Sequence, residues 1–148
     1  MRGAGSFRPA AGFGAALLLV AAPSFAAAPG SAEIFGRWRT DDGKAIVAIG
    51  RCGDTACGTI AAVLDRSPGV PRTDVKNPSP ALRKRPILGM PVLTGFRRSD
   101  DQWSGGRAYD PKSGSSYRAR LSVNSDGLLK VTGCVLFVCQ SKRWSRVP

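Results

Sequence analysis

The sequence predicts an all-β protein: a small, closed, eight-stranded antiparallel barrel in which strands adjacent in sequence are neighbours in space. Three observations predict it. Turn signals built from Gly, Asp, Asn and Pro recur roughly every ten residues from Asp41 onward. Residues 116–123 alternate cleanly, with Tyr117, Ala119, Leu121 and Val123 on one face and Ser116, Arg118, Arg120 and Ser122 on the other, the period-two signature of a wall with one buried face. A meander of eight strands also leaves two exposed edges unless it closes, and closure removes both.

The strands follow in order. The first spans Phe35 to Thr40 and ends at the turn Asp41-Asp42-Gly43. The second, Lys44 to Cys52, turns at Gly53-Asp54-Thr55-Ala56 into the third, Cys57 to Asp65. The fourth runs from Gly89 to Arg98 and stops at Ser99-Asp100-Asp101; the fifth, Trp103 to Tyr109, stops at Asp110-Pro111-Lys112-Ser113-Gly114. Within the fifth, Gly105-Gly106 reads as a bulge or a tight bend of the wall. The sixth, Ser116 to Val123, meets the hairpin turn Asn124-Ser125-Asp126-Gly127. Leu128 to Val135 and Cys139 to Val147 complete the set.

One stretch breaks the pattern. Residues 66–86 hold Pro68, Pro71, Pro78, Pro80 and Pro86 and few large apolar side chains, so they cannot form a central strand. They are expected to form one long connection between strands 3 and 4, with a helical turn at Ser79 to Lys84. A connection of this length in a small domain is functional or disordered, and it is expected here to act as a lid over one mouth of the barrel.

The four cysteines form two C-x4-C pairs, Cys52/Cys57 and Cys134/Cys139, each bracketing a hairpin tip. Three connectivities are possible. The two local pairs are favoured, and a crossed pairing is the alternative. So short a ring contributes only about 2 kcal/mol, so local bridges would fix tip geometry more than they hold the fold. The chain has no His, and four thiolates in an oxidising compartment argue for disulfides over a zinc site. No cofactor and no metal are expected.

The first residues point to export. Arg2 and Arg8 give a positive leader, residues 10–22 carry no charge, Pro23 ends the apolar run, and small residues follow at Ser24-Phe25-Ala26. The apolar run is shorter than the ~20 residues that span a bilayer. The pattern is that of a cleaved signal peptide over residues 1–26, followed by a single domain over 27–148 in the periplasm or outside the cell. No other segment is apolar enough to cross a membrane. The 22 Lys and Arg, less the two in the leader, stand against 10 Asp and Glu and leave a net charge of +10. A basic surface of this kind attracts anions. Export turns the expectation away from nucleic acid and toward anionic envelope surfaces or a partner protein.

Six stretches together resemble domain of unknown function 2147, a family of small secreted bacterial proteins. They run from Gly36 to Ile49 (G-R-W-R-T-D-D-G-K-A-I-V-A-I), Cys52 to Ile60, Asp74 to Gly89, Trp103 to Tyr117, Leu128 to Cys134 and Gln140 to Arg146. The resemblance implies a lipocalin-like (calycin-type) barrel and brings no established activity. Gly36-Arg37-Trp38 also looks like the G-x-W of lipocalins. By that likeness Trp38 plugs the base of the barrel, and Arg143 or Arg146 covers its ring through a cation–π contact worth roughly 0.5–2 kcal/mol.

Chemistry has few places to live in this sequence. Without His there is no Ser-His-Asp triad, and no phosphate-binding glycine loop is present. Catalytic residues are therefore not expected. The candidate binding residues are Asp74, Asn77, Arg83 and Arg85 on the proline-rich segment, where Arg can grip an anion, and Trp103, Tyr109 and Tyr117 as an aromatic cavity wall. The expected function is binding of a small amphipathic or anionic molecule. An interaction module with a basic face is the second expectation, and a hydrolase using Asp74 with an Arg is the third.

Overall fold

The computed structural model describes Gly5 and residues 33–148. The expected leader, residues 1–26, and the start of the expected domain lie outside the described residues, apart from Gly5. Eight strands form one closed antiparallel barrel in sequence order. They are β1 (Gly36–Arg39), β2 (Ala45–Cys52), β3 (Thr55–Val63), β4 (Pro91–Ser99), β5 (Gln102–Asp110), β6 (Ser115–Val123), β7 (Leu129–Val135) and β8 (Val138–Val147). Closure comes from β1 pairing with β8, with Trp38 opposite Arg146. Every predicted strand is present within two residues of its expected start. A 3-10 turn at Pro80–Leu82 occupies the expected helical turn.

The walls follow from alternation. On β6, Ala119 and Leu121 are buried while Arg118 and Arg120 are exposed. The apolar side chains point inward and the arginines outward, the reverse of barrels that span membranes. Among the described residues no helix is long and apolar enough to cross a membrane. Where a wall must bend, glycine appears: Gly105 has φ 74° and the β5–β6 register shifts between Trp103 and Gly106, the expected bulge.

Antiparallel order fixes two different ends. The N-terminal side of β1 shares its end with the β2–β3, β4–β5 and β6–β7 turns. This end is closed. Trp38 is fully buried, and its indole Nε1–H donates to the Ile34 carbonyl at 2.8 Å. The Arg146 guanidinium lies 4.2 Å from the centre of the Trp38 ring and donates to the carbonyls of Phe35 and Glu33 at 3.1 and 2.7 Å. Arg143 does not share this place. It is one step out of phase with the inward-facing Trp144, projects outward, and lies 3.9 Å from Asp126. Period two in β8 decides between the two arginines.

The arginine needs room at Gly36. This residue has φ 124°, and a Cβ there would sit 2.8 Å from the Arg146 Nη1. Gly36→Ala is expected to lose about 1–3 kcal/mol from backbone strain and displacement of the guanidinium. Chemical denaturation of wild type and variant measures it; equal midpoints would show that the plug does not depend on this contact.

Both disulfides are local, Cys52–Cys57 and Cys134–Cys139, with Cα separations of 5.9 and 4.0 Å. They sit at opposite ends, the first at the closed end and the second at the open one.

Candidate functional site

The open end carries the β1–β2, β3–β4, β5–β6 and β7–β8 connections, and a cavity of about 530 Å³ opens there. Its deep wall is apolar: Val47 and Ile60 from β2 and β3, Leu93 and Ala108 from β4 and β5, and Val131 and Trp144 from β7 and β8. These are inward positions in register, Val47 opposite Ile60, Leu93 opposite Ala108, and Val131 next to the Leu129–Trp144 pair. Tyr117 joins the wall beside Gly133. The indole Nε1–H of Trp144 is buried and has no acceptor among the described residues.

The rim is polar and mixed in sign. Lys142 points inward from β8 and its Nζ lies 2.9 Å from Asp41 Oδ2. Lys112, from the β5–β6 turn, pairs with Asp42. Asp110 is the third rim carboxylate and accepts from the Lys112 backbone N–H at 2.9 Å, which shapes the turn. The rim thus sets two lysines against three aspartates.

The long connection does not cover this mouth. No residue from 66 to 86 lines the cavity. The expectation of a lid is corrected: the segment packs on the outer wall over β5. Tyr109 is the anchor. On β5 it is out of phase with the inward-facing Ala108, so its phenol projects outward and meets the segment. Its O–H donates to Asp74 Oδ1 at 2.6 Å. Asn77 Nδ2 donates to Asp74 Oδ2 at 2.7 Å and to the Tyr109 oxygen at 3.1 Å. Arg85 Nη2 donates to Asp74 Oδ2 at 2.7 Å, and its guanidinium lies 5.6 Å from the Tyr109 ring centre.

Asp74 is 0% exposed. Burial works to raise its pKa, but the hydrogen bonds from Tyr109, Asn77 and Arg85 outweigh it and hold the carboxyl below the ordinary value. The Tyr109 hydroxyl is pushed up by burial and by the Asp74 carboxylate it serves. The backbone closes the same segment. Thr73 bridges Pro86, the Asp74 N–H donates to Arg85 O at 2.9 Å, and Asn77 Oδ1 accepts from the Ser79 N–H at 2.9 Å. Arg83 Nε is spent on the Asn77 carbonyl at 2.9 Å.

Five of the seven candidate binding residues therefore meet one another, Arg83 through the Asn77 carbonyl. Asp74, Asn77, Tyr109 and Arg85 form a network that fastens the segment to the barrel. A sealed carboxylate is also badly placed to attack or deprotonate a substrate, which removes the geometric basis for a hydrolase using Asp74. Beside the network, Arg85 and Tyr109 line an outer groove of about 330 Å³ with Thr94, Arg107 and Ser116. Trp103 lies toward the closed end, buried edge-on against Phe35 at 5.3 Å between ring centres. It does not join an aromatic wall with Tyr117, because β5 carries it to the opposite end of the barrel. Gln140, Lys142 and Trp144 also line the cavity and were not among the expected site residues. Their period-two spacing on β8 was the available signal.

A family model described as "Uncharacterized protein conserved in bacteria (DUF2147)" matches residues 36–146. The chain is also similar to a solved structure, protein HP1028 from the human pathogen Helicobacter pylori, described as belonging to the lipocalin family. The two share 23% identity at a TM-score of 0.69, over 78% of this chain and 84% of that one, a likeness of fold alone. No curated protein matches.

Proposed function

This chain belongs to the DUF2147 family, and from that footing we propose that it is a non-enzymatic binder of one small amphipathic molecule in the bacterial envelope. The cavity carries the proposal. Its volume of about 530 Å³ falls within the ~300–1,000 Å³ of small-molecule sites, with an apolar depth and a few polar groups at the mouth. The apolar part of the ligand would occupy the depth between Val47, Leu93 and Val131, and its polar part would meet Lys142, Gln140 and the rim aspartates.

The rim sharpens the ligand class. Three carboxylates against two lysines do not make a cationic collar, so a hydrogen-bonding head suits it better than a bare anion. Residence in the envelope is supported by the bacterial family and by two disulfides, which persist in oxidising compartments.

Native mass spectrometry tests the proposal. The folded protein is incubated with a monoacylglycerol and, separately, with the fatty acid of the same chain length. The expected result is one molecule per chain, with the neutral-headed lipid held at least as well as the acid. Absence of any complex with either would remove the proposal.

A further inference from the structure

The β7–β8 hairpin ends in a tip that is wrong for water and wrong for a turn. Val135 and Val138 pair across the hairpin, and Leu136 and Phe137 form its two-residue loop. Leu136 is 89% exposed and Phe137 100% exposed. Leu136 also has φ 52°, a left-handed conformation that Asn or Gly adopts readily and a γ-branched apolar residue does not. The Cys134–Cys139 bridge holds the tip in shape. A four-residue apolar projection on a strained backbone contributes nothing to the core, and exposed apolar groups of this kind mark interaction sites.

We infer that this tip inserts into the surface of an anionic lipid bilayer and sets the barrel mouth against it. Charge around the tip favours that occupant. Arg118 lies opposite Cys134 at the base of the hairpin and faces Arg107 on the next strand, and neither makes an ion pair among the described residues. Of the open-end carboxylates, Asp41, Asp42, Asp65 and Asp74 are already matched by Lys or Arg, which leaves Asp110 against both Arg107 and Arg118. The surplus there is positive. An apolar wedge flanked by uncompensated arginines is the chemistry of binding at an anionic membrane surface. Val135 and Val138 belong both to the tip and to the cavity wall, so the apolar surface runs from the wedge into the barrel without a break. That continuity would let an amphiphile enter from the bilayer, a role that rests on the cavity proposal; insertion itself does not.

The test replaces Leu136 and Phe137 together, as L136G/F137S, a Gly-first pair suited to a two-residue turn with positive φ at its first position alone. Co-sedimentation with phosphatidylglycerol–phosphatidylcholine vesicles is measured beside thermal unfolding and beside monoacylglycerol binding without vesicles. The expected variant melts at the same or higher temperature, keeps its monoacylglycerol binding, and binds vesicles at least tenfold more weakly. Wild-type binding should also weaken with salt. Equal vesicle binding by variant and wild type, or none by wild type, overturns the inference. So does self-association of wild type without lipid that the variant abolishes, if vesicles are not bound; the tip would then serve a second copy of the chain. Loss of monoacylglycerol binding by both proteins with vesicle binding intact would count against the cavity alone.

Discussion

Asp74→Asn is expected to destabilise the protein by about 2–4 kcal/mol, although Asp74 lies outside the cavity. Removing one partner of a buried, hydrogen-bonded charge pair leaves the other uncompensated. Here the Arg85 side chain stays 31% exposed, so water relieves part of that penalty and the lower part of the usual range applies. The amide also keeps one acceptor oxygen in place of two, so the bonds from Tyr109 to Oδ1 and from Asn77 and Arg85 to Oδ2 can no longer all be made. Residues 66–86 would come away from β5 while the barrel kept its topology. Urea unfolding measures the stability, and limited proteolysis locates the change. Cleavage confined to 66–86 is the expected pattern, and unchanged proteolysis would contradict it.

The same network fixes the sign of a pH effect. The folded pKa of Asp74 is depressed, so its contribution is complete above the unfolded-state value of about 3.9 and is lost as the pH falls through the lower folded value. The folded pKa of Tyr109 is raised, so its contribution is complete below about 10 and is lost as the pH rises through the higher folded value. Tyr109→Phe removes the donor to Asp74 and leaves burial less opposed. Acid unfolding of this variant should begin at a higher pH than in wild type, and the alkaline dependence due to Tyr109 should disappear. Circular dichroism across the pH range reads both edges.

Trp38→Ala is the second large effect, expected at about 3–5 kcal/mol. The side chain is fully buried at the closed end, and deleting so large a group leaves a cavity that a closed barrel cannot collapse. The deletion also removes the ring under Arg146 and frees the Ile34 carbonyl. Arg146→Lys should lose less, about 1–2 kcal/mol, because an ammonium keeps the charge but not the planar fork that reaches Phe35 and Glu33 together. A Trp38→Ala variant as stable as wild type would show that the closed end is not held by its plug.

The barrel was legible in the sequence because turn chemistry and alternation act locally. Asp41-Asp42-Gly43 and Asn124-Ser125-Asp126-Gly127 mark turns without reference to the rest of the chain. The β7–β8 tip was harder to place, since Leu136-Phe137 carries no turn signal and the cysteines alone framed it. The position of residues 66–86 could not be read, because it is decided by the contact of Asp74 with Tyr109, 35 residues away. Trp103 was expected in one aromatic cavity wall with Tyr109 and Tyr117, and its true place was hidden for a related reason. Its strand was identified correctly, but which end of that strand is plugged depends on β1 and β8. Cavity volume depends on how side chains from seven strands meet, and no local pattern carries that information.

The barrel interior is the proposed binding site, and Gly133 opens onto it. A Cβ at this position would lie 3.4 Å from Tyr117 Cβ, an ordinary contact, so a side chain there is admitted and extends into the cavity. A fluorescence titration of wild type and Gly133→Leu with dansyl-undecanoate should show saturable binding by wild type with energy transfer from Trp144, and at least tenfold weaker binding by a variant that melts at the same temperature. Equal binding by the two proteins would place the ligand outside the barrel interior.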